Sequence, residues 1–352
     1  MLLRLSFLLG GASAVRIAFV GDSQAYGFFR GDPALRTQPE YDTVTYGDRQ
    51  VQWCYPNGDR SEDAPVRTLQ RLLGDDHEVL DYTINGRSVR LSTSFAGGEN
   101  ASYMSPNNRE FECLTTGTNM LCTIPGAGRA ACNYSYVPAR DPNDVRHGAG
   151  PPYDAVISFL GTMDGVLWDQ ASCPLPEAGS GAVEYSDAAF NNCAFVRDYL
   201  ALIRRLRALP SPNADGPTVF IVIPPPVLST VGGANPVVMN FVLPVIIPRI
   251  AEAAGVRVID VFGSFGGHEI PDSGPTPCVQ GPPEDANQTA CSFMCNATFG
   301  SCDSMHSTDA GYRHTGEFIH GEISSWIGSR STVRKSAAHG EYSTAKGALQ
   351  PH

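Results

Sequence analysis

The sequence predicts an α/β protein whose parallel, doubly wound sheet is covered by helices on both faces, and three observations lead to this prediction. Short runs of β-branched and apolar residues alternate with segments of helical periodicity, as in chains built from successive β-α units. Turn residues bound each run, which is typical of strands buried on both faces. Hydrophobic residues make up 42% of the 352 positions, which provides a sizeable core and excludes global disorder.

Five segments have the composition of buried parallel strands. They are residues 16–20 (RIAFV), 78–82 (EVLDY), 155–160 (AVISFL), 218–223 (TVFIVI) and 256–261 (VRVIDV). Apolar residues recur at helical spacing in four other segments. These predicted helices cover residues 64–73, 188–209, 248–254 and 308–326. We expect Pro248 to begin the third helix, because the first turn tolerates proline, and Ser307 or Thr308 to cap the fourth.

Two long intervals, residues 91–150 and 264–302, do not fit this alternation. The first contains three cysteines and the second contains four. Loops of such length are uncommon unless they are functional or cross-linked. We therefore predict a single domain over residues 15–330 with two disulfide-stapled loop insertions. Residues 331–352 are polar and without periodicity, and we predict a disordered tail there.

Three features indicate a secreted protein or one in the lumen of the secretory pathway. Residues 1–14 (MLLRLSFLLGGASA) have an early Arg4, a leucine-rich centre and a small-residue end, as in a signal peptide; a buried N-terminal strand is the alternative. The cysteines number ten, an even count that suits disulfides. Glycosylation sequons lie at four asparagines in the same loop-like stretches, namely Asn100, Asn133, Asn287 and Asn296.

The charge balance argues against two kinds of partner. Lysine and arginine number 25 against 36 acidic residues, for a net charge of −11, and such a surface repels nucleic acid. No apolar stretch reaches 18 residues, so we expect no transmembrane segment. The sequence does not indicate an oligomeric state.

The residues that carry chemistry lie near the two ends of the predicted domain. Ser23 follows the first strand directly, within the run Gly21, Asp22, Ser23, where the carboxyl end of a parallel strand gathers ligand groups. A serine needs a base to become a nucleophile. Asp303 and His306 precede the last predicted helix, and a carboxylate at that spacing can orient the imidazole that serves as the base.

The order of four short blocks resembles the SGNH/GDSL hydrolase (esterase/lipase) superfamily. The blocks are GDS at 21–23, INGRS at 84–88, GTMD at 161–164 and DSMHSTDAGY at 303–312. The resemblance implies a three-layer α/β/α, flavodoxin-like fold and a Ser-His-Asp hydrolase of carboxylic esters that needs no cofactor and no metal. It implies Ser23 as the nucleophile, His306 as the base and Asp303 as the carboxylate that orients the base. The backbone N–H groups of Ser23 and Gly86 would donate to the oxyanion. The residues that would support these motifs are Gly21, Asp22, Gly161 and Asp164.

The third block departs from the family pattern at Met163. The family has an asparagine there, whose side chain donates the third hydrogen bond to the oxyanion, whereas a thioether cannot donate one. Loss of one such donor typically lowers the rate by about 10²–10³. Asn85 and Thr162 are nearby in sequence and could supply a substitute.

Each of these residues also has a simpler interpretation. Ser23 could merely cap a helix, Gly86 could be an ordinary turn glycine, and Asp303 could cap the last helix beside a surface His306. A zinc site is a further alternative, formed by Cys291, Cys295, Cys302 and His306, although their spacing lacks a paired C-x₂-C.

Three functions remain open from the sequence. The leading hypothesis is a secreted esterase that removes short acyl groups, such as O-acetyl groups, from glycans. The first alternative is a weak or inactive glycan-binding protein with the same fold, which the departure at Met163 motivates. The second is a lipid acyl hydrolase or acyltransferase that uses the same serine.

Overall fold

The computed structural model describes the parts of the chain that build the sheet and its two helical layers. The described residues are 14–27, 44–46, 49–51, 61, 63–83, 88–90, 102, 104, 152–175, 185–230, 234–271, 289–294 and 305–346, with the backbone alone for 44–46, 49–51 and 331–346. Residues 1–13 of the predicted signal peptide, the four sequon asparagines and most of the two predicted insertions lie outside the described residues.

A five-stranded parallel sheet forms the centre of the molecule. Its strands are β1 (Arg16–Gly21), β4 (Glu78–Thr83), β5 (Ala155–Phe159), β6 (Thr218–Ile223) and β7 (Arg257–Asp260), in the spatial order β4-β1-β5-β6-β7. Counted within this sheet, the order is 2-1-3-4-5, which is the flavodoxin-like arrangement. Two short strands, β2 (Val44–Tyr46) and β3 (Arg49–Val51), form a separate antiparallel pair. The predicted fold class is confirmed.

Strand β1 shows how one sheet supplies two cores. Ala18 and Val20 belong to one buried hydrophobic cluster, whereas Ile17 and Phe19 belong to the other, because successive side chains of a strand point to opposite faces. Helices α5 (Ala194–Arg207) and α6 (Leu243–Ala254) contribute to the first cluster. Helices α2 (Pro65–Leu73) and α9 (Asp309–Lys346) contribute to the second. The fold therefore has three layers.

Shorter helices complete the described architecture. They are α1 (Ser23–Tyr26), α3 (Thr162–Val166), α4 (Asp187–Asn192), α7 (Val261–Ser264), α8 (Thr289–Phe293), a π-helix (Val238–Val242) and a 3₁₀ turn (Gly267–Glu269). No helix among the described residues combines the length and the apolar character needed to cross a bilayer.

The helix predicted over residues 188–209 is two helices. Helices α4 and α5 meet at Cys193, which has an extended conformation (φ −73°, ψ 123°) and forms a disulfide with Cys173. Hydrophobic periodicity does not reveal such a break, because Phe190 and Phe195, one on each side of Cys193, are both buried. The bridge joins the segment after α3 to the start of α5.

Two other helices differ from prediction at their ends. Helix α6 begins at Leu243, after the π-helix, so Pro248 lies inside it; burial of Ile246, Ile247 and Ile250 against the sheet holds this helix in place. Helix α9 is capped by Thr308, whose hydroxyl accepts a hydrogen bond from Gly311 N–H at 3.1 Å. This helix continues to Lys346, through most of the segment for which the sequence predicted a disordered tail.

Candidate active site

Ser23 lies just after the end of β1, the strand at which the order of the strands across the sheet changes direction. Strands β4 and β5 flank β1, and ligands of such sheets bind outside the carboxyl ends of the strands at this switch point. The chain turns sharply from β1 into α1 because residue 21 is glycine: a Cβ there would lie 2.2 Å from Ala25 Cβ and 2.8 Å from the Phe159 carbonyl oxygen. Ser23 is the first residue of α1 and is buried.

Ser23 and His306 lie within hydrogen-bonding distance, although 283 residues separate them. The His306 Nε2 atom is 2.8 Å from Ser23 Oγ, and both side chains are buried. A neutral ring nitrogen in this position can accept the hydroxyl proton, which is the geometry a general base requires. Asp303, predicted to orient the ring, lies outside the described residues.

Gly86 belongs to the loop after β4, of which the structure describes residues 88–90. Gly86 and Asn85 lie outside the described residues. The chain resumes at Ser88, and the Val89 and Arg90 N–H groups each donate to the Asp164 carboxylate at 2.9 Å. Asp164 therefore holds this loop against helix α3.

Helix α3 presents the third block beside α1. The Thr162 N–H donates to Asp22 Oδ2 at 3.0 Å, which joins the first and third blocks directly. Gly161 precedes the helix with a φ of 133°, a conformation that favours glycine. Met163 is only 7% exposed, and it belongs to neither hydrophobic cluster of the described residues.

Two buried carboxyl groups therefore connect the first block, the third block and the segment that follows the second. Asp22 also accepts a hydrogen bond from Gln24 N–H at 3.0 Å. Burial raises the pKa of Asp22 to about 7, and the nearby charge of Asp164 acts in the same direction. Burial likewise raises the pKa of Asp164 to about 6, although the hydrogen bonds from Val89 and Arg90 oppose the rise. Both groups titrate near neutral pH because desolvation disfavours their charged forms.

Gln24 contributes a contact that sequence reasoning missed. Its side-chain Nε2 donates to the Met305 carbonyl oxygen, and its Oε1 accepts a hydrogen bond from Ser307 Oγ at 3.2 Å. Met305 and Ser307 are the residues on either side of His306. The sequence offered one signal: a polar residue directly after the candidate nucleophile.

The described residues do not support the zinc alternative. They contain no group of three histidine, cysteine or acidic side chains placed to hold a metal ion. Cys291 forms a disulfide, and His306 lies against Ser23. Cys295 and Cys302 lie outside the described residues.

Comparisons with known proteins give matches among solved structures. No family model matches the chain, and no curated protein matches it. The chain is similar to an aryl esterase from M. smegmatis, with 16% identity over 89% of this chain and 99% of that one and a TM-score of 0.41. It is also similar to a carbohydrate acetylesterase family member from Sinorhizobium meliloti, with 16% identity, the same coverage and a TM-score of 0.44.

A third similar structure is a lipase/acylhydrolase from Enterococcus faecalis. Its identity is 13% over 88% of this chain and 95% of that one, with a TM-score of 0.41. These neighbours are ester hydrolases of the kinds that the SGNH/GDSL resemblance implies. Because their TM-scores lie below 0.5, the fold assignment rests on the strand order of this chain and the site assignment on its own distances.

Proposed function

We propose that this protein hydrolyses carboxylic esters, with Ser23 as the nucleophile and His306 as the general base. The observation that carries the proposal is the 2.8 Å distance between Ser23 Oγ and His306 Nε2 at the carboxyl end of β1. A serine hydroxyl paired with an imidazole is the minimal unit of covalent acyl transfer. Asp303 completes the proposed triad by accepting the other ring N–H of His306.

In the first half-reaction, Ser23 Oγ attacks the ester carbonyl carbon while His306 Nε2 takes the hydroxyl proton. The carbonyl π electrons move onto oxygen and form the oxyanion. Collapse of this intermediate breaks the bond to the leaving alcohol, which receives the proton from His306. The products are an acyl-serine at position 23 and a free alcohol.

In the second half-reaction, water takes the place of the alcohol. His306 removes a proton from water, the resulting hydroxide attacks the acyl carbon, and Ser23 leaves as the protonated hydroxyl. The net reaction converts an ester and water into a carboxylic acid and an alcohol. The backbone N–H groups of Ser23 and Gly86 are the proposed oxyanion donors, and Met163 adds none.

For the substrate, we propose short acyl groups, such as O-acetyl groups, on glycans. The insertions over residues 91–150 and 264–302 are polar and rich in turn residues, and no hydrophobic lid-like segment is obvious in them. A lipid acyl hydrolase or acyltransferase is the alternative for the same serine, and the dependence of the rate on acyl chain length separates the two.

We also propose that the protein is secreted or lumenal and is glycosylated. The disulfide between Cys173 and Cys193 supports an oxidising compartment, as does the disulfide-bonded state of Cys291. The leader predicted over residues 1–14 would direct export.

One observation favours a second candidate function, a glycan-binding protein that retains the fold. Met163 occupies the position of the family's oxyanion asparagine and provides no donor there. In this case the Ser23–His306 pair would remain without effective catalysis, and acylated glycans would be bound without being cleaved.

The test compares the wild type with Ser23→Ala on p-nitrophenyl esters of increasing chain length. We expect acetyl ester hydrolysis in the wild type and a loss of about 10³-fold or more in kcat for Ser23→Ala, because covalent catalysis disappears. Ser264→Ala is the matched control: this serine hydroxyl is also partly buried and donates to the Val261 carbonyl oxygen at 2.8 Å, and its loss should change kcat less than about 2-fold.

A fluorophosphonate probe identifies the nucleophile independently of the substrate. We expect covalent labelling at Ser23, no labelling in Ser23→Ala, and strongly weakened labelling in His306→Ala. Hydrolysis that persists in Ser23→Ala, with the label on another serine, would contradict the assignment. A wild type that is inert toward every chain length but binds acetylated glycans would favour the second candidate function.

A further inference from the structure

We infer that Gln24 is a positioning residue that sets the place of His306 relative to Ser23. Its catalytic consequence rests on the function proposed above. Gln24 is 2% exposed, and its side-chain amide contacts the residues on both sides of His306. One side chain therefore fixes the segment of chain that presents the base.

The two contacts require an amide. The Met305 carbonyl oxygen can only accept a hydrogen bond, so the NH₂ group of Gln24 must face it. The amide oxygen is then left to accept the hydroxyl proton of Ser307, at 3.2 Å. Methionine has a similar length but lacks the donor, and glutamate would place a carboxylate against the carbonyl oxygen.

The amide belongs to the same short turn as the nucleophile. The Gln24 N–H donates to Asp22 Oδ1 at 3.0 Å, and the Gln24 carbonyl oxygen accepts a hydrogen bond from Gly27 N–H at 3.3 Å. Ser23 and the Gln24 side chain therefore move together with α1. A displacement of this turn would carry the His306 segment with it and preserve the distance between nucleophile and base.

Helix α8 holds the His306 segment on another side. The Thr308 N–H donates to the Phe293 carbonyl oxygen at 2.8 Å, and Met294 and Ser307 form an isolated antiparallel bridge. These contacts keep the segment near the sheet but do not connect it to α1. Apart from the Ser23–His306 hydrogen bond itself, Gln24 connects the segment to α1, with one contact on each side of the base. Catalysis is sensitive to this placement, because a displacement of about 1 Å in a reacting group can lower a rate about 10²-fold.

Gln24→Met is the test variant and Gln70→Met is its matched control. Gln70 has a comparable structural role in α2: its Nε2 donates to the Gly74 and His77 carbonyl oxygens at 2.8 and 3.1 Å, and its Oε1 accepts from Val79 N–H at 2.7 Å. It contacts neither Ser23 nor His306. Both substitutions remove an amide that bridges backbone or side-chain groups, but only the first removes contacts beside the base.

For Gln24→Met we expect kcat for p-nitrophenyl acetate to fall about 10-fold or more, with KM changed less than about 2-fold. We expect Gln70→Met to lower Tm while kcat stays within about 2-fold of the wild type. A purely structural role of Gln24 would give the same pattern as Gln70→Met, and that result would overturn the inference.

A second readout does not depend on ester hydrolysis. Imidazole NMR signals of His306, assigned by comparison with His306→Ala, should form one narrow set in the wild type and in Gln70→Met. They should be broadened or doubled in Gln24→Met. A wild type inert toward all esters would end the proposed function, while this comparison would still decide the role of Gln24: one narrow, unshifted set in Gln24→Met would refute it.

If Gln24→Met does not fold, Ser307→Ala replaces it, because this change removes the hydroxyl that donates to the Gln24 oxygen, together with its longer contact of 3.7 Å to Met294 Sδ. We then expect the same direction with a smaller effect, about 3-fold in kcat, and a measurable broadening of the His306 signals. Unchanged signals in Ser307→Ala together with unchanged kcat would reject the inference.

Discussion

At the scale of single residues, Met163 differs from its neighbours in the site in its side chain, a thioether that cannot donate a hydrogen bond. Through hydrogen bonds, Asp22 holds the third block, Gln24 holds the fourth, and Asp164 holds the segment that follows the second. Met163 is buried beside them, outside both hydrophobic clusters of the described residues. A buried thioether therefore stands at the position where the resembled family has a donor.

Met163→Asn should restore that donor. Asparagine is shorter than methionine, so it adds no bulk, and its NH₂ group can bond the oxyanion that forms only in the transition state. We expect kcat for an acetyl ester to rise about 10-fold or more with KM little changed. The gain will be smaller if Thr162 or Asn85 already supplies a donor. The measurement is steady-state hydrolysis of p-nitrophenyl acetate.

Met163→Leu is the control for this prediction. Leucine has nearly the same volume and no donor, so it should show none of the gain. A correctly folded Met163→Asn with clearly lower activity than the wild type would show that Met163 has a positive role, and the alignment of the third block would then be wrong.

The sequence predicted the pairing of Ser23 and His306 only through the resemblance and the order of the blocks. The carboxyl end of a parallel strand is where ligand groups gather, which predicts the place of Ser23 after β1, whereas His306 reaches it from the loop before α9. The Gln24 contacts could not be predicted in this way. They depend on how the loop before α9 lies against α1, and no local pattern of residues encodes that distance.

At the scale of secondary-structure elements, burial decided what the sequence could predict. Four of the five strands are mostly buried, while the edge strand β7 buries only Ile259, and all five were predicted to within two residues of their observed ends. Helix ends were less predictable. The break at Cys193 depends on a covalent bond to Cys173, and the early start of α6 depends on packing against the sheet, so hydrophobic periodicity alone revealed neither.

The disulfide between Cys173 and Cys193 gives a prediction at this scale. Its two cysteines are 20 residues apart, and a cross-link over a loop of this size typically stabilises a protein by about 2–4 kcal/mol. The double variant Cys173→Ala, Cys193→Ala should therefore unfold at lower urea concentration by a comparable free energy. Non-reducing mass spectrometry of protein made through a secretory route should find the linked peptides and few or no free thiols among the ten cysteines.

The opposite result has a clear meaning. Free thiols at both Cys173 and Cys193 in such protein, with no loss of stability in the double variant, would contradict the disulfide. If most of the ten cysteines were reduced, the proposed compartment would also fail. A Ser172→Ala variant, which leaves both cysteines in place and removes only an exposed hydroxyl, controls for local changes in this segment.

At the scale of the whole molecule, two carboxyl groups are buried where the blocks meet. Asp22 follows the carboxyl end of β1 and Asp164 lies in the helix after β5, and burial raises the pKa of each. The folded protein therefore holds protons there that the unfolded chain releases. Global stability is coupled to pH through the same groups that organise the proposed site.

Asp164→Asn should change the pH dependence of unfolding in a defined direction. The unfolded carboxyl has a pKa of 3.8 and the folded one about 6. Its contribution to stability is complete below pH 3.8 and is lost as pH rises through about 6. Asparagine does not titrate, so the variant should gain stability relative to the wild type by about 3 kcal/mol between pH 4 and pH 8. Urea unfolding at several pH values measures this difference.

Asp63→Asn provides a control with the opposite sign. Asp63 forms ion pairs with Arg313 and Arg71, and hydrogen bonding to Arg313 lowers its pKa. Its contribution is therefore present above the unfolded pKa of 3.8 and is lost as pH falls through the lowered value. Relative to the wild type, Asp63→Asn should be less stable at pH 7, and the deficit should shrink only in acid.

The coupling to Asp164 would be disproved if the stability difference between Asp164→Asn and the wild type stayed constant from pH 4 to pH 8. That result would mean that Asp164 keeps its charge in the folded protein, and the hydrogen bonds from Val89 and Arg90 would then outweigh its burial.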